Sequence, residues 1–384
     1  MIPYGRQQID ANDIAAVVET LQSDFLTQGP KVPAFEYAVA RRCEVNFAVA
    51  MNSATSALHL ACLALGVGPG DLVWTSPISF VASANCARYC GADVDFVDVD
   101  ASTGLLDVQA LQHKLLQAAA DNRLPKVLIP VHLAGHSCDM QQIAALCRPF
   151  GIRIIEDASH AIGALYQQRP VGCCQYSDIC VFSFHPVKII TSAEGGMALC
   201  NDARLACTLQ SLRSHGITRD VGAMTEPSHG PWYYQQTELG YNYRMTDLQA
   251  ALGLSQLDRL VQFVHQRIAA TVLYQTLLQD LPVELPAPAQ DGVSAWHLYI
   301  IRLQQPQLRR SVFEQLRAAG IGVNVHYIPI HTQPYYQQLG FHWGQWPQAE
   351  QFYSQIISLP LFAGITPAQQ QQVATALRQA LEQS

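Results

Sequence analysis

The sequence predicts an α/β protein with a large domain built on a mostly parallel central sheet and a smaller α/β domain at the carboxyl end. Three observations predict it. Along the first two thirds of the chain, short apolar runs alternate with longer segments of helical period, the pattern of βαβ units whose sheet is covered on both faces. From about residue 257 the texture changes, and a Pro-rich stretch at 281–289 separates a long helical segment from later, more isolated elements. The chain has 384 residues, 49% hydrophobic and 14% charged, which at roughly 100 to 200 residues per domain suits two domains with a sizeable core. We expect a large domain over residues 1–256 and a small one over 257–384.

The elements follow in order. Strands are predicted at residues 47–51, 72–75, 94–97, 127–132, 153–156, 179–184 and 197–200, where apolar runs of strand length end in polar or turn residues. Between them, 54–65 is apolar nearly throughout and reads as a buried helix, and 109–119 as an amphipathic one. Beyond the boundary, a helix is predicted around 257–278, a strand at 297–303 and a helix at 308–319. The chain closes with a helix from 366 to 381, where Thr366 supplies the cap, Pro367 the first helical position, and Val373, Leu377 and Leu381 the apolar stripe. No internal repeat or membrane-length apolar run is present.

Composition excludes several functions. A net charge of -7 with 23 Lys+Arg gives no global field for nucleic acid or anionic lipid. Eleven cysteines are too sparse for a disulfide scaffold, and MIPYGRQQ has neither a basic nor an apolar leader segment, so reduced thiols and a cytoplasmic location are expected. No metal is expected. The cysteines lack a C-x-x-C pair, and His132 and His136 have helical ligand spacing on a segment that Pro130 and Gly135 mark as strand and loop. Gly66-Val67-Gly68-Pro69-Gly70 follows a helix and precedes a strand, the wrong context for a dinucleotide-binding loop.

In parallel sheets, ligands sit beyond the carboxyl ends of the strands, so the polar residues there carry the chemistry. The 153–156 run ends in Asp157, then Ala158, Ser159 and His160. The 179–184 run contains Ser183 and leads to Lys188, set among Val187, Ile189 and Ile190, surroundings that depress a lysine pKa. Asn52-Ser53-Ala54-Thr55-Ser56 leads from a strand into the buried helix. Each motif alone is commonplace. Together, an anion cradle at a helix start, a carboxylate and an apolar-set lysine are the parts that hold pyridoxal phosphate (PLP): donors for its phosphate, an anion for its ring nitrogen and an amine for its aldehyde.

With SFHPVK at 183–188, AEGG at 193–196, NSATSAL at 52–58, EDASHA at 156–161, GYNYRMTDLQAALG at 240–253, HYIPIHTQPYY at 326–336 and SLPLF at 358–362, the chain resembles the DegT/DnrJ sugar aminotransferases nearly end to end. The resemblance implies the fold-type-I aminotransferase architecture, PLP as cofactor and a nucleotide-linked keto-sugar as substrate. MIPYGRQ and SDFLTQGP resemble the branch that makes UDP-4-amino-4,6-dideoxy-N-acetyl-β-L-altrosamine, an intermediate toward pseudaminic acid. Carried across, it implies Lys188 as the lysine that joins the cofactor and shuttles protons, and Asp157 on the ring nitrogen. Thr55, Ser56 and Ser183 are expected at the phosphate, Phe80 stacked on the ring, and His160 near the ring hydroxyl, where many relatives have Gln. Asn242 would reach the phosphate from a partner subunit, making a homodimer with shared sites. Ala193 replaces a frequent Gly, a small change in a turn. Tyr4, Thr27, Gln28, His326, Tyr327 and His331 are expected to bind the sugar nucleotide, although packing between domains explains the small-domain residues equally well. The reaction expected is ping-pong transfer of an amino group from L-glutamate to the 4-keto group of a UDP-linked sugar. The alternatives are a dTDP- or GDP-linked keto-hexose, or a catalytically silent sensor. A dehydratase of the same fold would carry His where Lys188 stands.

Overall fold

The computed structural model describes residues 1–289 and 291–383. Its centre is a seven-stranded sheet of β1 (Phe47–Met51), β2 (Leu72–Thr75), β3 (Asp93–Phe96), β4 (Val127–Ile129), β5 (Arg153–Asp157), β6 (Ile179–Ser183) and β7 (Gly196–Cys200). The order across it is β1-β7-β6-β5-β4-β2-β3, and β7 alone runs against the others. All seven strands were legible as apolar runs. The run at 127–132 stops pairing regularly at Ile129 because Pro130 has no N–H to give a neighbour, although Val131 still bridges Asp157.

Strand alternation sorts residues between two cores. Ala48, Ala50, Ile154, Cys180 and Phe182 face one, which is closed by helix α2 (Lys31–Cys43) with later helices, while helix α1 (Ala11–Leu21) lies outside it. Val49, Met51, Ile155, Ile179 and Val181 face the other, closed by α3 (Ala54–Ala64) and α4 (Ala82–Tyr89). Nine of the eleven cysteines are buried, Cys173 and Cys207 being the others. Among the described residues no cluster could hold a metal ion, and no helix is long and apolar enough to cross a membrane.

The helix expected from residue 257 is found as α6 (Leu260–Leu278), and a helix that was not expected, α5 (Asp247–Asp258), precedes it. They break at Arg259, whose guanidinium pairs with Asp10 and Asp13 and ties the amino-terminal segment down. A third core unites the later part of α6 (Ala270, Tyr274, Leu278), an antiparallel sheet of β8 (Val283–Glu284), β9 (Tyr299–Leu303) and β10 (Ile356–Leu359), and the closing helix α7 (Pro367–Gln383). Ile2 joins it, bridged in parallel to Ile321. The Ile2 N–H donates to Gly320 O at 2.9 Å, and the Gly322 N–H to Ile2 O at 2.6 Å. A Cβ at Gly322 would stand 2.7 Å from Ile2 O, so only glycine admits the amino terminus here. We propose the domain division at residues 256/257, with α6 as the junction, since its first turns pack in the large core.

Candidate active site

A cavity of about 610 Å³ opens at the carboxyl ends of β5 and β6, between the large sheet and the third core. Its floor is set by strand parity. Asp157 shares the face of Ile155 and so points toward α4, while Glu156 takes the other face, where it accepts from the Ser177 hydroxyl and from His132 Nε2 at 2.7 Å. The Asp157 Oδ1 accepts from the Ser159 N–H at 3.1 Å and the Ser159 hydroxyl at 2.6 Å. Its Oδ2 accepts from the Ser83 hydroxyl at 2.6 Å, and Ser83 accepts in turn from Ser79 at 2.6 Å. Ser79 and Ser83 were not picked out from the sequence, although their i, i+4 spacing at the start of α4 was a usable signal.

At the other end lies the start of α3. Ser53 caps it, accepting from the Ser56 N–H at 3.1 Å. The Ser56 hydroxyl is turned inward and donates to Asn52 Oδ1 at 2.6 Å, so the structure does not bring Ser56 to the cavity; Ser53 and Thr55 line it instead. Among the described residues, the N–H groups of Ala54 and Thr55 and the hydroxyls of Thr55 and Ser183 have no partner. Gly196 makes this juxtaposition possible. It pairs with both Met51 and Ser183, and a Cβ there would lie 2.4 Å from the Ala54 nitrogen.

Lys188 follows β6 on a loop held by bonds to Phe184 O from the Ser192 N–H and the Thr191 hydroxyl, both at 3.0 Å. Its side chain is only partly covered because it faces the cavity, but the surrounding protein mass removes most of its hydration. That burial lowers its pKa from 10.5 to about 8, with Asp157 opposing the shift. The amine has no hydrogen-bond partner among the described residues. Ala193, in the same loop, adopts φ 65°, a left-handed conformation that favours glycine, so its replacement of a frequent Gly carries strain that the motif comparison did not suggest.

The remaining wall comes from Phe80, which is 59% exposed, and from Tyr4, His326 and Tyr327. The Ile2 anchor and a bond from the Leu361 N–H to Tyr4 O at 3.0 Å bring Tyr4 here. The His326 Nδ1 lies 2.8 Å from Ser358 Oγ, and burial lowers its pKa to about 3. His160 lines the cavity with both ring nitrogens engaged by protein, one by the Ala134 N–H at 3.2 Å and the other by Tyr327 Oη at 3.1 Å. His331 is not brought to the cavity. Its ring is fully buried, packs on Trp346 at 4.7 Å and bonds Glu350 at 3.0 Å, the packing role expected of an interface residue. Thr27, Gln28 and Asn242 also lie outside this chain's own cavity. They are exposed, on two segments joined where Thr27 bridges Thr246 and where the Gly29 and Lys31 N–H groups donate to the buried Asp247 carboxylate at 2.7 and 2.8 Å.

The unpaired donors at one end, the carboxylate on the floor and the unbonded amine between them fit the phosphate, ring nitrogen and aldehyde of PLP. Comparison with known proteins agrees. The model of the DegT/DnrJ/EryC1/StrS aminotransferase family matches residues 7–378. The spore coat polysaccharide biosynthesis protein SpsC of Bacillus subtilis is 38% identical over 383 residues, 98% of this chain and 96% of that protein. Helicobacter pylori PseC, an aminotransferase involved in the biosynthesis of pseudoaminic acid, superposes with TM-score 0.91 at 32% identity, covering 100% of both chains. Spr1654 of Streptococcus pneumoniae in its PLP-form superposes with TM-score 0.90 at 30% identity, covering 100% of this chain and 99% of the other.

Proposed function

The chain belongs to the DegT/DnrJ/EryC1/StrS aminotransferase family, and within that family of PLP-dependent sugar aminotransferases we propose that it aminates the 4-keto group of a UDP-linked 4-keto-6-deoxy amino sugar at the expense of L-glutamate. The product is UDP-4-amino-4,6-dideoxy-N-acetyl-β-L-altrosamine, on the route to pseudaminic acid. The observation that carries the chemistry is the meeting of Lys188, Asp157, Thr55 and Ser183 in one cavity. The likeness to PseC over the full length of both chains supports the choice of sugar.

When bound, PLP supplies an electrophilic carbon and a ring that draws electrons from the carbon next to the transferred nitrogen. This chain's residues do the rest. Thr55, Ser183 and the free N–H groups at the start of α3 hold the phosphate at a helix amino terminus, where local donors compensate for an acidic protein. Asp157 partners the ring nitrogen, with Ser83 and Ser159 fixing its orientation. The Lys188 Nζ, with its pKa brought down to about 8, is poised both to accept and to return a proton near neutral pH. Tyr4, His326 and Tyr327 close the cavity from the small-domain side and exclude water from that transfer.

Thr27, Gln28 and Asn242 serve the site of a second copy, in a cytoplasmic homodimer. Their clustering outside this chain's own cavity supports that reading. So do the exposed apolar residues nearby on α1 and the following loop, Ile14, Val18, Leu21, Phe25 and Leu26, a patch of the kind that marks an interface.

The test has two parts. PLP-loaded protein should lose its visible absorbance on addition of L-glutamate, and a panel of UDP-, dTDP- and GDP-linked 4-keto-sugars should show the UDP-linked amino sugar restoring it fastest. Faster restoration by another nucleotide sugar would reassign the substrate, and an absorbance indifferent to glutamate would indicate a silent binding protein. Lys188→Ala and Asp157→Asn should each abolish turnover while leaving the thermal transition in place.

A further inference from the structure

We propose that Tyr327, rather than His160, gives the hydrogen bond to the ring oxygen of bound pyridoxal phosphate, and that His160 is the positioning residue that sets the direction of that bond. The inference rests on PLP being the cofactor and on a chain of hydrogen bonds that has one consistent polarity. The Ala134 N–H can only donate, and it lies 3.2 Å from His160 Nδ1, so that nitrogen carries no proton. Burial, together with the Lys188 charge, holds the imidazole well below its usual range, so the ring is neutral and its one proton sits on Nε2. Nε2 is 3.1 Å from Tyr327 Oη and therefore donates to it.

Tyr327 is left holding its own proton with its oxygen already accepting. Burial, and the nearby Asp157 carboxylate, push the phenol upward, so the O–H stays intact. Among the described residues that proton has no acceptor. Its neighbours are occupied or are themselves donors. The Asp157 oxygens take Ser159 and Ser83, His326 uses Ser358, and Lys188 is an amine. The hydroxyl faces the cavity at the level of Asp157 and His160, where the ring would lie, with the Phe80 ring 6.3 Å from its own.

The donor's aim is fixed from behind. His297 packs on His160 at 4.3 Å, and its backbone N–H donates to Ala134 O at 2.8 Å, while Ala134 is held at φ 59°. The imidazole can neither tilt nor change tautomer without breaking the Ala134 bond.

The experiment is a spectroscopic pH titration of PLP-loaded protein, which reads the proton shared by the lysine-linked nitrogen and the ring oxygen. Losing a donor disfavours the form in which that oxygen carries its full charge, so Tyr327→Phe should move the midpoint upward by roughly one unit, the tenfold effect of one charge-assisted hydrogen bond. His160→Leu should move it the same way. His160→Gln, which can still accept from Ala134 and donate to Tyr327, should leave it within a few tenths of a unit. Equilibrium dialysis of the apoproteins should show Tyr327→Phe binding PLP more weakly. A Tyr327→Phe protein that titrates like wild type while only its KM for the sugar nucleotide rises would overturn the proposal and assign the hydroxyl to the substrate. Wild-type protein that took up no PLP would overturn the cofactor assignment as well.

Discussion

Lys188 shows how a single residue acquires its chemistry from its surroundings. The apolar residues around it in the sequence point to a depressed pKa, and the structure supplies the cause in the cavity wall that strips its hydration. With the value brought from 10.5 to about 8, the neutral, nucleophilic amine gains population as pH rises through 8. The rate at which apoprotein takes up PLP should therefore rise across pH 7 to 9 and level off, whereas uptake limited by an ordinary lysine would keep rising toward pH 10.5; stopped-flow absorbance checks this. Ala193 is the opposite case, a residue whose significance the sequence understated. Because it is held at φ 65°, Ala193→Gly should raise stability by up to about 1 kcal/mol, the left-handed strain relieved less the added chain entropy. Thermal melting of the two proteins compares them directly.

At the scale of elements, the site is a meeting of strand ends, and Gly196 governs how closely they meet. Its lack of a side chain lets β7 lie between β1 and β6 and bring Ser183 to the start of α3. Gly196→Ala, with its Cβ 2.4 Å from the Ala54 nitrogen, should displace that helix start and weaken PLP binding by tenfold or more, with a smaller effect on folding; equilibrium dialysis against PLP alongside a melting curve separates the two. Much of this level was legible. The strands, the buried α3 and the cap at Thr366 follow from period and composition, because those depend on neighbours in sequence. Helix α5 was not, and Arg259, which ends it, is held by Asp10 and Asp13 from the far end of the chain. Nor was the fate of Ser56, whose hydroxyl turns to Asn52, or of His331, whose Nε2 bonds Glu350 inside the fold.

For the whole molecule, the arrangement of Thr27, Gln28 and Asn242 is the informative feature. Asp247 ties the loop of the first two to the segment of the third, so two motifs separated by more than two hundred residues form one exposed unit. If that unit serves a second copy, subunits carrying Lys188→Ala and subunits carrying Asn242→Ala should complement. Mixing and refolding them together should recover about a quarter of the wild-type activity, because half of a random population is mixed and each mixed dimer has one intact site. Additive, uncomplemented activities would show that each site is complete within its own chain.

The sequence by itself pointed to the α/β class, the seven central strands in their order, PLP as cofactor, and Lys188 and Asp157 as candidate site residues, because apolar period and short motifs are local properties of a chain. Only the tertiary structure decided which way each polar group points. Strand parity turned Asp157 toward Ser83 and Glu156 away from it, the Ala134 N–H fixed the tautomer of His160, and the Ile2 bridge carried Tyr4 into the cavity. The physical reason is that a hydrogen bond has a donor and an acceptor at fixed places in space, and partners such as His160 and Tyr327, 167 positions apart, meet only when the chain has folded.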